Sequence, residues 1–500
     1  MNQEMPQNSK DFKKRPPQPL QKNDRAICPH CWLEFLPKEA FFIAGHPDLS
    51  AEGDPVLGKT EKLRISPTEV KVDSKGRFVD PKGWPVVDRA CPRCHLQVPL
   101  ELLEKRPIFL SVAGPNTGGK TYFLTVLIHV LRRQLAANFD RSLDYSDSHE
   151  LKAFTDLEDK LFNQGADKWT YLERTGTGGA VFNTVKLDGH DVTLPKPFLF
   201  SMNPTSTSVE EGSKKKDLFQ AFALYDNAGE LFELGRDLDP TFRAIEHLGV
   251  ADAIMFAFDP LQDEKTQSKL IKNGNKDPGL LELVKQNKIV PQDKMLLSVI
   301  TNAKRLRNLT NSKKINIPLL VCVQKFDVWR KLLPAWARID SSSIEFIKAD
   351  DTSGLDIAEL ISNSLLIRAF ISDISPSFVT MAEANFTSVR FFSVSAFGCS
   401  PISGEGNLMH IRSGDLQPFR VTDPILWFMR KLGLIRAAIK KNQCSNVAEV
   451  VSSDNEGFVV KFPDSGKRIK LDWEYAGLLV QDPWNGEDVI IPTQTQIMGD

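Results

Sequence analysis

Residues 114–121 read GPNTGGKT, which satisfies the pattern G-x-x-x-x-G-K-[ST]. In this pattern the backbone N–H groups of a glycine-rich turn surround a polyphosphate, and a lysine and a hydroxyl stand at its far end. Gly114 and Gly119 let the chain curl without a Cβ in the way. Lys120 would reach the β- and γ-phosphates, and the Thr121 hydroxyl would ligate Mg²⁺. Pro115, Asn116, Thr117, Gly118 and Tyr122 complete the candidate cradle. The competing reading is a glycine-rich turn that fits by accident. The flanks argue against it. The apolar run 108–113 precedes the loop, and Phe123, Val126, Leu127, Val130 and Leu131 follow at helical spacing.

A second constellation is sulfur. CPHC at 28–31 and CPRC at 91–94 each place two thiols on one tight turn. Two such knuckles facing each other give the tetrahedral Cys₄ set that suits Zn²⁺. The candidate ligands are Cys28, Cys31, Cys91 and Cys94. The knuckles stand about three times farther apart than in an ordinary zinc ribbon, which implies an insertion in the ribbon loop. Two redox pairs or unligated core thiols are the alternatives. His30 and His95 are adjacent to the ligands and are read as lying outside the set. Four sulfur ligands leave no open coordination position, so this module reads as structural or docking, not catalytic.

A phosphate loop does not choose a nucleotide, and three later segments bear on that. The strand-like run 222–226 ends in Asp226-Asn227-Ala228-Gly229, a D-x-x-G turn. Its aspartate can hold Mg²⁺ through water, and the Gly229 N–H can meet a γ-phosphate. The run 319–323 leads into Gln324-Lys325-Phe326-Asp327, close to N-K-x-D. A carboxylate at Asp327 can accept from the guanine ring N–H and its exocyclic amine. Adenine offers neither donor there, so it would leave that carboxylate unpaired. The Lys325 stem can cover the base plane. A third strand-like run ends in Ser395-Ala396, whose N–H groups can meet the guanine O6. Gln324 departs from the usual asparagine.

The order of these motifs over residues 107–435 resembles the translation-factor-related (TRAFAC) class of P-loop GTPases. The resemblance implies an α/β fold with a mostly parallel sheet, guanine nucleotides (GTP/GDP) with Mg²⁺, and an antiparallel hairpin made by 198–202 and 219–226. The segment 244–260 resembles the helix and strand after the second switch. More narrowly, GPNTGGKTYFLTVL and LYDNAGELFE are similar to bacterial double-GTPase proteins. Those proteins can carry zinc ribbons and belong to conflict or signalling systems, which implies a protein partner, such as a second GTPase. The catalytic set implied is Lys120, a switch threonine and Glu230. Glu230 stands where a water-orienting glutamine is usual, and a carboxylate about 4 Å from a phosphate oxygen repels it by several kcal/mol. A slow regulatory GTPase is therefore expected, with a non-hydrolysing nucleotide-binding scaffold as the alternative. An ATPase is a third reading, without a second acidic residue beside Asp226 to support it. Thr175, Thr177, Thr184 and Thr193 can each supply the switch threonine by type, and Thr177, in the glycine-rich TGTGG, is preferred.

The rest of the chain frames these motifs. At 41% apolar and 25% charged residues it reads as an ordinary globular protein with a core large enough to fold unaided. A net charge of −1 provides no global field for nucleic acid or an acidic membrane. No apolar run is long enough for a bilayer, and the polar amino terminus lacks a signal-peptide core. A cytoplasmic location follows as the expectation. Four parts are expected: a disordered tail (1–25), a zinc ribbon-like module (26–104), the GTPase domain (105–436) and a small β module (437–500). In the last, GFVVKF and KRIKL flank the turn Pro463-Asp464-Ser465-Gly466 and read as a hairpin. The stretch 136–161 reads as a charged, solvated helix. Lys214–Lys216 and the group Lys304, Arg305 and Arg307 read as solvated charge.

Overall fold

The computed structural model describes residues 25–50, 53–58, 61–115, 119–146, 152–172, 182–205, 219–226, 243–286, 289–337, 339, 342–347, 352–403, 409–438 and 446–498. The expected tail (except Arg25), Asn116, Thr117, Gly118, Thr175, Thr177, Lys214 to Lys216, Gly229 and Glu230 lie outside the described residues.

The chain forms a mixed α/β structure around a seven-stranded, mostly parallel sheet. Strand β1 (Ile108–Ala113) is buried along its whole length, as an apolar run covered on both faces must be. Helix α1 (Lys120–Asn138) follows, and its buried positions Phe123, Leu124, Val126, Leu127, Leu131 and Leu135 face the sheet. Then come β2 (Arg141–Tyr145), β3 (Phe198–Pro204), β4 (Gln220–Asp226) and β5 (Ala253–Phe258). Helix α2 (Gln292–Leu306), β6 (Ile315–Val323), α3 (Ile357–Ile374), β7 (Phe386–Ser393) and α4 (Asp423–Lys431) complete the unit. The strand order is β2-β3-β4-β1-β5-β6-β7. Strands β4, β1, β5, β6 and β7 run parallel, and the reversed strand β3 pairs antiparallel with both β4 and the edge strand β2.

Alternation divides the sheet's side chains between layers. Leu110, Val112, Phe222, Leu224, Met255 and Leu320 join α1 and α4 in one core. Ile254, Phe256, Phe258, Val321 and Val323 join α2 and α3 in the other. Beside that second layer, Phe109, Ala221, Ala223 and Tyr225 pack against the four cysteines. The amino-terminal segment thus shares a core with the sheet instead of standing apart from it.

Two readings of charged segments are corrected. The stretch 136–161 is not one helix. Asp140, at φ 54°, turns the chain, and RSLDY becomes the edge strand β2. Its ladder to β3 pairs Arg141 with Pro204 and Tyr145 with Phe200. That pairing is non-local, so periodicity within the segment does not show it. Lys304 and Arg307 are internal ties rather than solvated charge. Lys304 Nζ donates to Asn311 O (2.8 Å) and Asn385 Oδ1 (2.7 Å), while Arg307 donates to the carbonyls of Leu248 and Ala251.

The carboxyl-terminal hairpin forms as expected: Gly457–Lys461 pairs antiparallel with Arg468–Leu471, and Glu449–Asp454 adds a third strand. Arg390 of β7 ties this module to the sheet. Its buried guanidinium meets Asp472 and Glu474 at 2.8 Å each and lies over the rings of Trp427 and Tyr475. Among the described residues no helix is long and apolar enough to cross a membrane.

Candidate functional site

The glycine loop leaves the carboxyl end of β1, at the centre of the sheet. Gly114 has φ 139°, and a Cβ there would stand 2.5 Å from the Ala257 carbonyl oxygen of β5. Only glycine lets the loop pass this close to the next strand. Gly119, at φ 66°, precedes α1. The buried Lys120 ammonium folds back over the loop and donates to the Gly114 and Pro115 carbonyls, each at 2.9 Å.

Asp226 ends β4, whose Tyr225 and Asp226 pair with Ser111 and Val112 of β1. Its Oδ2 accepts from Thr121 Oγ1 at 2.6 Å. Burial raises the Asp226 carboxyl above its ordinary range, against the Lys120 charge and the Thr121 hydrogen bond. A cation placed against these two oxygens would offset the cost of burying the carboxylate.

Two strands along the same sheet edge, β6 delivers Gln324, Lys325 and Asp327. At about 4.8 Å per strand, they stand roughly 10 Å from the glycine loop. Lys325 adopts φ 59°, and its Nζ pairs with Asp259 Oδ2 at 2.8 Å. Asp259 follows β5, is fully buried, and also caps the short turn after it by accepting from Leu261 N. Gln324 is buried. Its main-chain N–H donates to Phe258 O (2.8 Å), its main-chain carbonyl accepts from Trp329 Nε1 (2.7 Å), and its Nε2 has no partner among the described residues.

Asp327 Oδ1 accepts from Ser395 Oγ at 2.5 Å, and Ser395 Oγ in turn accepts from the Gly398 N–H at 2.8 Å. Burial raises the Asp327 carboxyl, opposed by the Ser395 bond. Ser395 and Ala396 follow β7. Tyr122 bridges to this loop with its ring edge-on to Phe397, centroids 5.8 Å apart. A cavity of about 290 Å³ lined by Trp169, Gly398, Cys399, His410, Arg412 and Gln417 opens beside it.

The structure therefore brings Gly114, Pro115, Gly119, Lys120, Thr121, Tyr122, Asp226, Gln324, Lys325, Asp327, Ser395 and Ala396 to one edge of the sheet. Of the four switch candidates, Thr184 and Thr193 face each other in a regular hairpin (Phe182–Leu187 with His190–Pro195). Asp259 was missed by sequence reasoning. The signal was present as an aspartate ending the apolar run AIMFAF, but its partner Lys325 lies far along the chain.

The second centre is the cysteine cluster. The sulfurs of Cys28, Cys31, Cys91 and Cys94 lie within 4.8 Å of one another, all buried. The knuckles match each other. Trp32 N–H donates to Cys28 O and His95 N–H to Cys91 O, each at 3.1 Å, with Trp32 and His95 both at φ 58°. His30 N–H and Arg93 N–H point at Cys28 and Cys91 sulfur, each at 3.4 Å. Burial pushes the Cys28 and Cys94 thiols well up, while hydrogen bonds from the other thiols pull Cys31 down. A divalent cation would balance four thiolates this close together, so the cluster can hold a metal such as zinc. Neither histidine is in the cluster: His30 Nε2 meets Gln97 O at 2.9 Å and His95 Nδ1 meets Asp54 at 2.8 Å.

No protein-family model matches the chain. The chain is similar to a Mycolicibacterium smegmatis protein provisionally named ESX-1 scaffolding and assembly protein SaeC. The two are 27% identical over 362 residues, which covers 69% of this chain and 80% of that protein.

Proposed function

We propose that the chain is a guanine-nucleotide-binding regulatory protein of the translation-factor-related P-loop class, with a slow GTPase activity and a structural zinc site. The observation that carries this reading is the 2.6 Å contact of Thr121 Oγ1 with Asp226 Oδ2. It joins the last residue of G-x-x-x-x-G-K-[ST] to the first of D-x-x-G, the two groups that would hold Mg²⁺ in this class. The antiparallel pairing of β3 with β4 supports it, as does the Ser395–Asp327 contact at the base end. Nucleotide phosphates would lie on the Gly114–Thr121 loop and guanine against Asp327. Lys325 would cover the base, steadied by Asp259. The cysteine cluster would hold Zn²⁺ in a closed site.

Lys120→Ala is expected to lower affinity for a fluorescent guanosine triphosphate at least tenfold, about 1.4 kcal/mol, because it removes the loop's own cation. Equal affinity of mutant and wild type in a fluorescence titration would show that this loop is not the site.

A scaffold that binds nucleotide and hydrolyses little is the second reading. Glu230 in place of glutamine favours it, and so does the scaffolding and assembly role in the relative's name. Either role implies a protein partner. Single-turnover measurements on the isolated chain separate the two. A switch GTPase should hydrolyse GTP at about 10⁻⁴ to 10⁻² s⁻¹. A scaffold should leave bound GTP intact over the same hours.

A further inference from the structure

The first cysteine knuckle is hydrogen-bonded to the sheet at the residue before Asp226. Tyr225 points to the face opposite Asp226, because successive strand residues alternate. Its hydroxyl donates to the Pro29 carbonyl at 2.5 Å and accepts from Trp32 Nε1 at 3.1 Å. Pro29 lies between Cys28 and Cys31, and Trp32 follows Cys31, so both partners belong to the first knuckle. The Tyr225 ring stacks on His247, centroids 4.5 Å apart and planes 4° apart. His247 Nδ1 is 2.8 Å from Ser111 Oγ, and Ser111 pairs with Tyr225 across β1 and β4. His247 and Ser111 are fully buried. The alanines at 221 and 223 on the same face leave room for the knuckle to approach.

We propose that the four-cysteine metal site positions Asp226: metal fixes Pro29 and Trp32, these fix Tyr225, and Tyr225 sets the adjacent carboxylate against Thr121. This rests on the reading of Asp226 as a Mg²⁺-holding residue of the nucleotide site. The knuckle is then not a separate docking element but a brace behind the D-x-x-G turn. By thermodynamic linkage, Mg²⁺ and nucleotide on one side of the sheet should strengthen metal retention on the other by the same factor.

The test uses the full-length, zinc-loaded chain. Tyr225→Phe keeps the ring on His247 and deletes the hydroxyl. With one zinc still bound per chain, it should raise the Mg²⁺ concentration for half-maximal binding of fluorescent GDP about fivefold, a typical coupling. It should also release zinc faster to a colorimetric chelator. Amide exchange across 220–226 should accelerate in Tyr225→Phe, and zinc removal from the wild type should accelerate it further. Val192→Ala is the control, since it loosens the same core and leaves the hydrogen-bonding groups of the link in place. It should lower the melting temperature and leave the Mg²⁺ dependence unchanged. An unchanged Mg²⁺ dependence together with unchanged exchange at 220–226 in Tyr225→Phe overturns the proposal. If the wild type binds no guanine nucleotide, the nucleotide reading fails, and the exchange and zinc-release measurements alone then decide whether the brace exists.

Discussion

Cys91→Ser is expected to abolish metal binding and unfold the amino-terminal segment. Elemental analysis should fall from one zinc per chain to none. The reason is the burial of the four sulfurs within 4.8 Å of one another. Structural zinc contributes on the order of 10 kcal/mol to a small module, because the site exists only in the folded state. Removing one ligand leaves three thiols in a pocket where burial already pushes Cys28 and Cys94 up. The damage should not stop at residue 104. The cysteines share a core with Phe109, Ala221, Ala223 and Tyr225, so amide protection on β1 and β4 should fall with it. Acidification should release the metal from the wild type as well, since thiolates must take up protons to let it go. Wild-type protein purified without chelator and found metal-free would sink this prediction. So would Cys91→Ser with unchanged metal content.

Asp327→Asn is expected to weaken guanine nucleotides by about 2–4 kcal/mol, roughly 30- to 1,000-fold, and to favour xanthine nucleotides. A site built to bond a polar group rejects the partner that leaves its own group unpaired. The carboxylate can only accept, whereas the amide can also donate to the oxygen that xanthine carries in place of the amine. Asp327 is held in place by Ser395 at 2.5 Å, and the amide keeps that contact if its oxygen faces the hydroxyl. Calorimetric titration with GDP, XDP and ADP checks the result. ADP binding as tightly as GDP in the wild type would exclude a guanine role for Asp327.

Much of the fold is legible in the sequence because the informative signals are local. Gly114 and Gly119 adopt the positive φ that a loop approaching β5 demands, and that demand is visible as glycine in the sequence. Each CxxC turn makes its own knuckle through bonds within five residues, such as Cys28 N–H to Leu33 O. The runs IFLSVA, FALYD, AIMFAF and LLVCV announce buried parallel strands by composition alone. Edge strand β2 was not legible. RSLDY has a mixed pattern, half exposed, and becomes a strand only because Phe198–Pro204 lies beside it.

The sequence by itself determined which groups are available: a glycine-rich loop with a lysine and a threonine, two pairs of cysteines, and carboxylates at strand ends. It did so because glycine conformation, cysteine spacing and apolar runs act over a few residues. The tertiary structure alone decided which of these groups meet. Thr121 and Asp226 are 105 positions apart, Asp327 and Ser395 are 68 apart, and Pro29 and Tyr225 are 196 apart. Each contact depends on strand order, and those of Asp226 and Tyr225 depend also on the two-residue alternation of β4. That alternation sends Asp226 to the glycine loop and Tyr225 to the cysteines. No local pattern encodes an order of strands, so the connection between the cysteine cluster and the glycine loop exists only in the assembled sheet.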